Sequence, residues 1–176
     1  MATGLKAGVA KRFLEWAPKL AAKPLALVPF AVKSQLIRQM LQQVLAEQEK
    51  DGELEFLAGR QVAIQISDLQ LEFLVSYDHG WHISPFEASA AEVCFRAPSQ
   101  ELLLVVAGKE DPDTLFFQRR LSIEGDTELG LEVKNLLLSV EFDALPAPVR
   151  VSVQKLAITL QQLQQLAARP EATPVH

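Results

Sequence analysis

The residues suited to chemistry in this 176-residue chain are few and scattered. His79 and His82 flank Gly80-Trp81, and His176 stands far from both. A metal site there would need a third ligand, with Asp78 the obvious candidate. On an extended strand, positions i and i+3 point to opposite faces, so a pair of turn histidines is the plainer reading. Cys94 lies between Val93 and Phe95, with no base or cation immediately beside it to lower its pKa, and reads as a buried, inert thiol. Asp111, Asp113, Glu124, Asp126 and Glu128 are rich in acidic pairs. Asp111 and Asp126 stand where helix caps are wanted, so a structural role is favoured for them. Arg119-Arg120 either pairs with those carboxylates or meets an anionic head group, and the first is favoured. Neither G-x-G-x-x-G nor a P-loop is present to cradle a phosphate. The residues therefore point to no catalytic group, no metal and no cofactor.

The elements that would position these residues follow from periodicity. Val62, Ile64 and Ile66 alternate with Gln61, Ala63 and Gln65. Leu69, Leu71, Phe73, Val75 and Tyr77 alternate with Gln70, Glu72, Leu74 and Ser76. Period two predicts a sheet with one buried face. Asp78-His79-Gly80 predicts a turn, with short strands over 81–83 and 90–96 and a fifth over 120–124. Helical spacing appears over 31–49, with Val32, Leu36, Met40, Val44 and Leu45 on one side. It returns over 101–107 and, after a cap at Asp126 or Thr127, at Leu129, Val133, Leu136, Leu137 and Val140. Asp111-Pro112 can start a further helical turn. Beyond Pro146 and Pro148, Val149, Val153, Leu156, Leu160 and Leu163 form a last stripe. Strands mostly in succession with helices gathered at the ends predict an α+β fold with a mostly antiparallel five-stranded sheet.

Hydrophobic residues make up 49 % of the chain and mean hydropathy is +0.12, which excludes simple disorder. That content implies a very large core, an internal cavity or a surface that meets lipid. Leucine runs at 102–104 and 136–138 exceed what one buried face needs. The last stripe follows a proline break, as a movable cover would. An ordinary core and a lipid-binding cavity both satisfy these patterns.

One cysteine cannot make an intramolecular disulfide, so a reducing compartment is favoured. A net charge of −5 argues against a general nucleic-acid binder. The charge is unevenly placed: residues 1–46 carry seven cations and one anion, +6, and the remainder carries −11. No apolar run reaches the roughly 18–20 residues that span a bilayer. The run over 25–32 precedes Lys33-Ser34 without a small-residue cleavage site, so cytoplasmic residence is expected.

The stretch DPDTLFFQRRLSIEGDTELGLEVKN (111–135) resembles a sterol carrier protein (type two) lipid-binding domain. More narrowly, with DGELEFLAGR (51–60) and LVPFAVKSQ (27–35), it is similar to the members that serve as accessory factors in bacterial ubiquinone biosynthesis. The resemblance implies a twisted sheet with helices enclosing an apolar tunnel over residues 31–169; charge placement and spacing set apart a basic arm over 1–30, and the chain from Pro170 reads as a flexible tail over 170–176. It implies a non-catalytic carrier that binds ubiquinone, its polyprenylated precursors or phospholipid and presents them to the UbiU–UbiV hydroxylase pair without oxygen. The alternative is a structural adaptor that docks those subunits and carries no lipid. The apolar stripes that would converge on such a tunnel are Leu71, Phe73, Val75, Phe95, Phe116, Phe117, Leu129, Val133, Leu136, Val140, Val153, Leu156 and Leu160.

In the arm, Leu5, Val9, Phe13 and Trp16 recur at helical spacing beside Lys6, Lys11, Arg12, Lys19 and Lys23. A basic amphipathic helix of this kind lies in a membrane interface, bound reversibly to an anionic surface such as the inner membrane. The competing expectation is that the same face packs on the body as one more core helix.

Overall fold

The computed structural model describes residues 27–140 and, beyond them, the helical positions Ala147, Arg150, Val151, Gln154, Lys155 and Ile158. The basic arm up to residue 26, together with Val153, Leu156, Leu160 and the tail, lies outside the described residues. Helices α1 (Phe30–Val44) and α2 (Ala46–Lys50) come first, followed by a 3-10 turn at Glu55–Leu57. Strands β1 (Val62–Ile66), β2 (Leu71–Tyr77), β3 (Trp81–Pro85) and β4 (Val93–Ala97) run in succession. Helices α3 (Ser99–Val106) and α4 (Pro112–Phe117), strand β5 (Ser122–Gly125) and helix α5 (Thr127–Ser139) complete the described order.

The sheet order is β3-β2-β1-β4-β5. Only the β1–β4 pair is parallel; β1–β2, β2–β3 and β4–β5 are antiparallel. Register places Ile64 opposite both Phe73 and Phe95, and Phe95 opposite Ile123, so these four share one face. Val62, Val75, Val93 and Ile83 extend the same face. Against it pack Ile37 of α1, Leu115 of α4, and Leu129, Val133 and Leu136 of α5, forming one apolar cluster. Each such side chain removed from water contributes roughly 1.5–3 kcal/mol, which holds the helices on the sheet.

Several boundaries differ from the periodicity: the helix expected over 31–49 breaks at Leu45, and β4 and β5 begin at Val93 and Ser122 rather than at 90 and 120. Leu69 and Gln70 belong to a turn, Gln70 at φ +50°, so the long alternation begins at Leu71. The side expected to be apolar over 31–49 divides: Val32, Leu36 and Met40 are exposed, while Val44 packs on the core and Leu45 is buried in it. A second line, Phe30, Ile37, Leu41 and Val44, faces the core instead. A helix with apolar residues on two sides leaves the choice to its tertiary contact, here with β3.

The caps follow sequence chemistry. The Asp111 side chain accepts from the amides of Asp113 and Thr114, with Pro112 at the first helical position. Asp126 accepts from the Leu129 amide at 2.8 Å. Gly130 lets α5 lie close on the sheet, since a Cβ there would stand 3.1 Å from Ile123 Cγ2.

Candidate functional site

The apolar cluster between the sheet and the helices brings six of the expected lining residues together: Phe73, Val75, Phe95, Leu129, Val133 and Leu136 are all buried in it. Leu71 and Val140 are half-buried and pack on its margin. Phe116 and Phe117 are not brought there. They follow the buried Leu115 on α4 but stand outside, 43 % and 81 % exposed, with their rings in an edge contact at 5.9 Å. This six-residue helix buries Pro112 and Leu115 and turns the two positions after Leu115 away.

Polar groups at the cluster's edge are mostly satisfied within the protein. The buried Gln48 donates from Nε2 to the Ser139 carbonyl at 3.0 Å, joining α2 to the end of α5. Tyr77 donates its hydroxyl to Glu49 at 3.1 Å. Burial first, then this hydrogen bond and the Glu49 charge, pushes the Tyr77 phenol above its ordinary range. Trp81 stacks edge-on against Tyr77, and among the described residues its buried indole N–H has no hydrogen-bond partner. Its place in the core was hidden in the sequence by the turn residues and histidines around it.

The chemistry-bearing residues fall elsewhere and apart. His79 is fully exposed in the β2–β3 turn, and His82 stands exposed on β3. Cys94 points to the opposite sheet face and is half-buried. Its thiol is pushed up chiefly by burial, against the lowering influence of Arg96 and with the help of Glu124 and Glu72. Asp113 pairs with Lys134 at 2.8 Å and Glu124 accepts from Ser122 at 2.8 Å, so most of the acidic positions are engaged structurally. Glu128 is exposed in the first turn of α5. Arg120 binds carboxylates outside that set, Glu101 and Glu110, while Arg119 makes no ion pair among the described residues. No group of three or more His, Cys, Asp or Glu among the described residues is placed to hold a metal ion.

Two polar assemblies carry no signal in local spacing. Arg60 donates to Glu92 at 2.6 Å and to Asp126 at 3.3 Å, tying the entries of β1 and β4 to the cap of α5. The hydrogen bond from Arg60 to Glu92, with the nearby anionic charge, holds the guanidinium above its ordinary pKa. On the opposite sheet face Arg96 donates to Gln65 at 2.7 Å and Gln65 to Glu72 at 3.3 Å, lining an open depression of about 350 Å³. Each residue in that row satisfies its neighbour. Among the described residues the sheet and helices thus enclose one apolar cluster, with no acid–base pair assembled within it.

Residues 37–138 match the model of the SCP-2 sterol transfer family. The ubiquinone biosynthesis accessory factor UbiT of Escherichia coli strain K12 is 41 % identical over 164 residues, covering 93 % of this chain and 94 % of that protein. UbiT of Escherichia coli O157:H7 matches to the same extent. A solved structure described as a UbiJ-SCP2 ubiquinone synthesis protein superposes with a TM-score of 0.52 at 13 % identity, covering 62 % of this chain and 93 % of that one, a likeness of fold.

Proposed function

The chain belongs to the SCP-2 sterol transfer family, and from that premise we propose that it is a non-catalytic lipid-binding accessory factor of ubiquinone biosynthesis. The observation that carries this reading is the likeness to UbiT across 93 % of the chain, a span that takes in the apolar interior. Ubiquinone or a polyprenylated precursor would lie against Phe73, Val75, Phe95, Leu129, Val133 and Leu136. Each methylene kept from water is worth about 0.8 kcal/mol, so a polyprenyl tail needs such cover before a water-borne hydroxylase can reach the ring. Pockets commonly run ≈ 300–1,000 Å³, so the protein would shield part of the tail. The ring would be presented to the UbiU–UbiV pair in the oxygen-independent route.

Loading and release require the bilayer. Among the described residues no helix is long and apolar enough to cross a membrane. The basic segment 1–30 supplies a surface attachment instead, and the exposed Val32, Leu36 and Met40 beside Arg38 continue its apolar and cationic character. The protein would act from the cytoplasm, visiting the inner membrane reversibly.

Native mass spectrometry and solvent extraction of the purified full chain test the proposal. A co-purifying quinone or polyprenylated phenol is expected, and cells lacking the protein should lose ubiquinone without oxygen while keeping it in air. Lipid-free protein from every growth condition would remove the carrier role, and normal anaerobic ubiquinone would remove the pathway.

A further inference from the structure

Leu115 and Leu121 are both buried, and between them the chain leaves the core. Phe116, Phe117, Gln118 and Arg119 are all exposed. This excursion is held rigidly. The amides of Arg120 and Leu121 both donate to the Leu115 carbonyl, at 2.9 and 3.2 Å, closing the loop at its base. Within it, Gln118 N donates to Thr114 O and Arg119 N to Phe116 O, each at 3.0 Å. Arg119 takes φ +59°, a left-handed conformation that glycine or asparagine would adopt at less cost. The sharp reversal it makes allows Arg120 to turn inward to Glu101.

The charges around the tip are sorted. Glu110 is tied to Arg120, Asp113 to Lys134, and Asp111 to the amides it caps. Arg119 alone at the tip has no anionic partner among the described residues. Two protruding aromatic rings beside a cation that no described carboxylate pairs with complement an anionic surface with an apolar layer beneath it. A stable protein interface buries about 800 Å² per partner, more than a four-residue protrusion offers. A bilayer needs only that the rings pass the head groups while the guanidinium stays at their level.

We propose that the Phe116–Phe117 tip with Arg119 is a docking point for an anionic lipid surface, separate from the basic segment at residues 1–30. It deepens the lipid-binding reading above and rests on it only for the expectation that the protein visits a bilayer.

The test is flotation of the full chain with vesicles of phosphatidylglycerol and phosphatidylethanolamine, and with vesicles of phosphatidylcholine alone. Phe117→Ser should lower partitioning onto the anionic vesicles roughly tenfold, from the loss of one buried aromatic side chain. Arg119→Glu should remove most of the preference for anionic over zwitterionic vesicles, and Arg119→Lys should keep it. Thermal melts identify a misfolded variant, and if Phe117→Ser misfolds, Arg119→Glu decides. Folded variants that partition like the parent overturn the proposal, as does a parent chain that binds neither vesicle. Extraction of the same parent preparation separates the two readings: a cargo-free chain that still docks through the tip ends the carrier role and leaves the docking point standing.

Discussion

Arg120 holds the Glu101 carboxylate at 2.5 Å, across nineteen residues of chain, and the Glu101 side chain is 4 % exposed. The pair joins the first turn of α3 to the segment that leads from α4 into β5. Glu110 lends a second, longer contact at 3.8 Å. Removing the cation strands a buried charge, which costs more than the pair itself contributes. Arg120→Ala should therefore lower unfolding free energy by about 3 kcal/mol, measured by urea denaturation. Adding Glu101→Gln to that variant should restore part of the loss by removing the stranded charge. No recovery in the double variant would mean that lost packing, and not charge, sets the cost.

Gly125 closes β5 at φ +114°, directly against the backbone of Glu92. A Cβ at this position would collide with the Glu92 carbonyl oxygen, an atom that cannot step aside because it accepts the Asp126 amide at 2.8 Å. Gly125→Ala is expected to destabilise the fold by at least about 2 kcal/mol, combining the strained dihedral with the clash. The expected result is a lower urea midpoint with an unchanged slope. An alanine variant as stable as the parent would show that this corner can relax.

The Cys94 thiol sits above its ordinary pKa, chiefly through burial. A raised thiol pKa leaves less thiolate at a given pH, so reactivity is lost relative to a free thiol and returns only as pH rises past the folded value. At pH 8, iodoacetamide should modify Cys94 at least about tenfold more slowly than glutathione. Urea unfolding should remove the difference. Because Arg96 opposes the rise, Arg96→Gln should slow the folded reaction further. Equal rates for protein and glutathione at pH 8 would contradict this account.

The sheet was legible because alternation is local: Val62, Ile64 and Ile66 and the run from Leu71 to Tyr77 need only their own spacing to declare a buried face, but that spacing does not show that Ala63, Leu74 and Ser76 on the other face are buried too. The capping aspartates were legible for the same reason, since Asp111-Pro112 and Asp126 act on amides two or three residues away. What spacing could not supply was the choice between two apolar sides of α1, which depends on where β3 lies. Nor could it separate Leu115 from Phe116 and Phe117, three consecutive apolar residues of which one enters the core. The partners of Arg60 and Arg120 were beyond reach because both pairs join segments distant in sequence.

The sheet order also sets a schedule for folding. Strands β1, β2 and β3 are consecutive neighbours and can zip through short turns. The central β1–β4 seam instead joins Val62 to Val93, 31 positions apart, and its closure entropy exceeds that of the four-residue β1–β2 turn by about 2 kcal/mol. The three-strand meander should thus be in place while β4 and β5 still search, as expected when non-local pairings are slow. Pulse-labelled hydrogen exchange should find amides of β2 and β3 protected before those of β4 and β5. Simultaneous protection of all five strands would exclude that order. Until the seam closes, half of the inner face has no neighbour on its β4 side, and the nascent chain is expected to pass through a stage in which this apolar half-surface is open to water and to other chains.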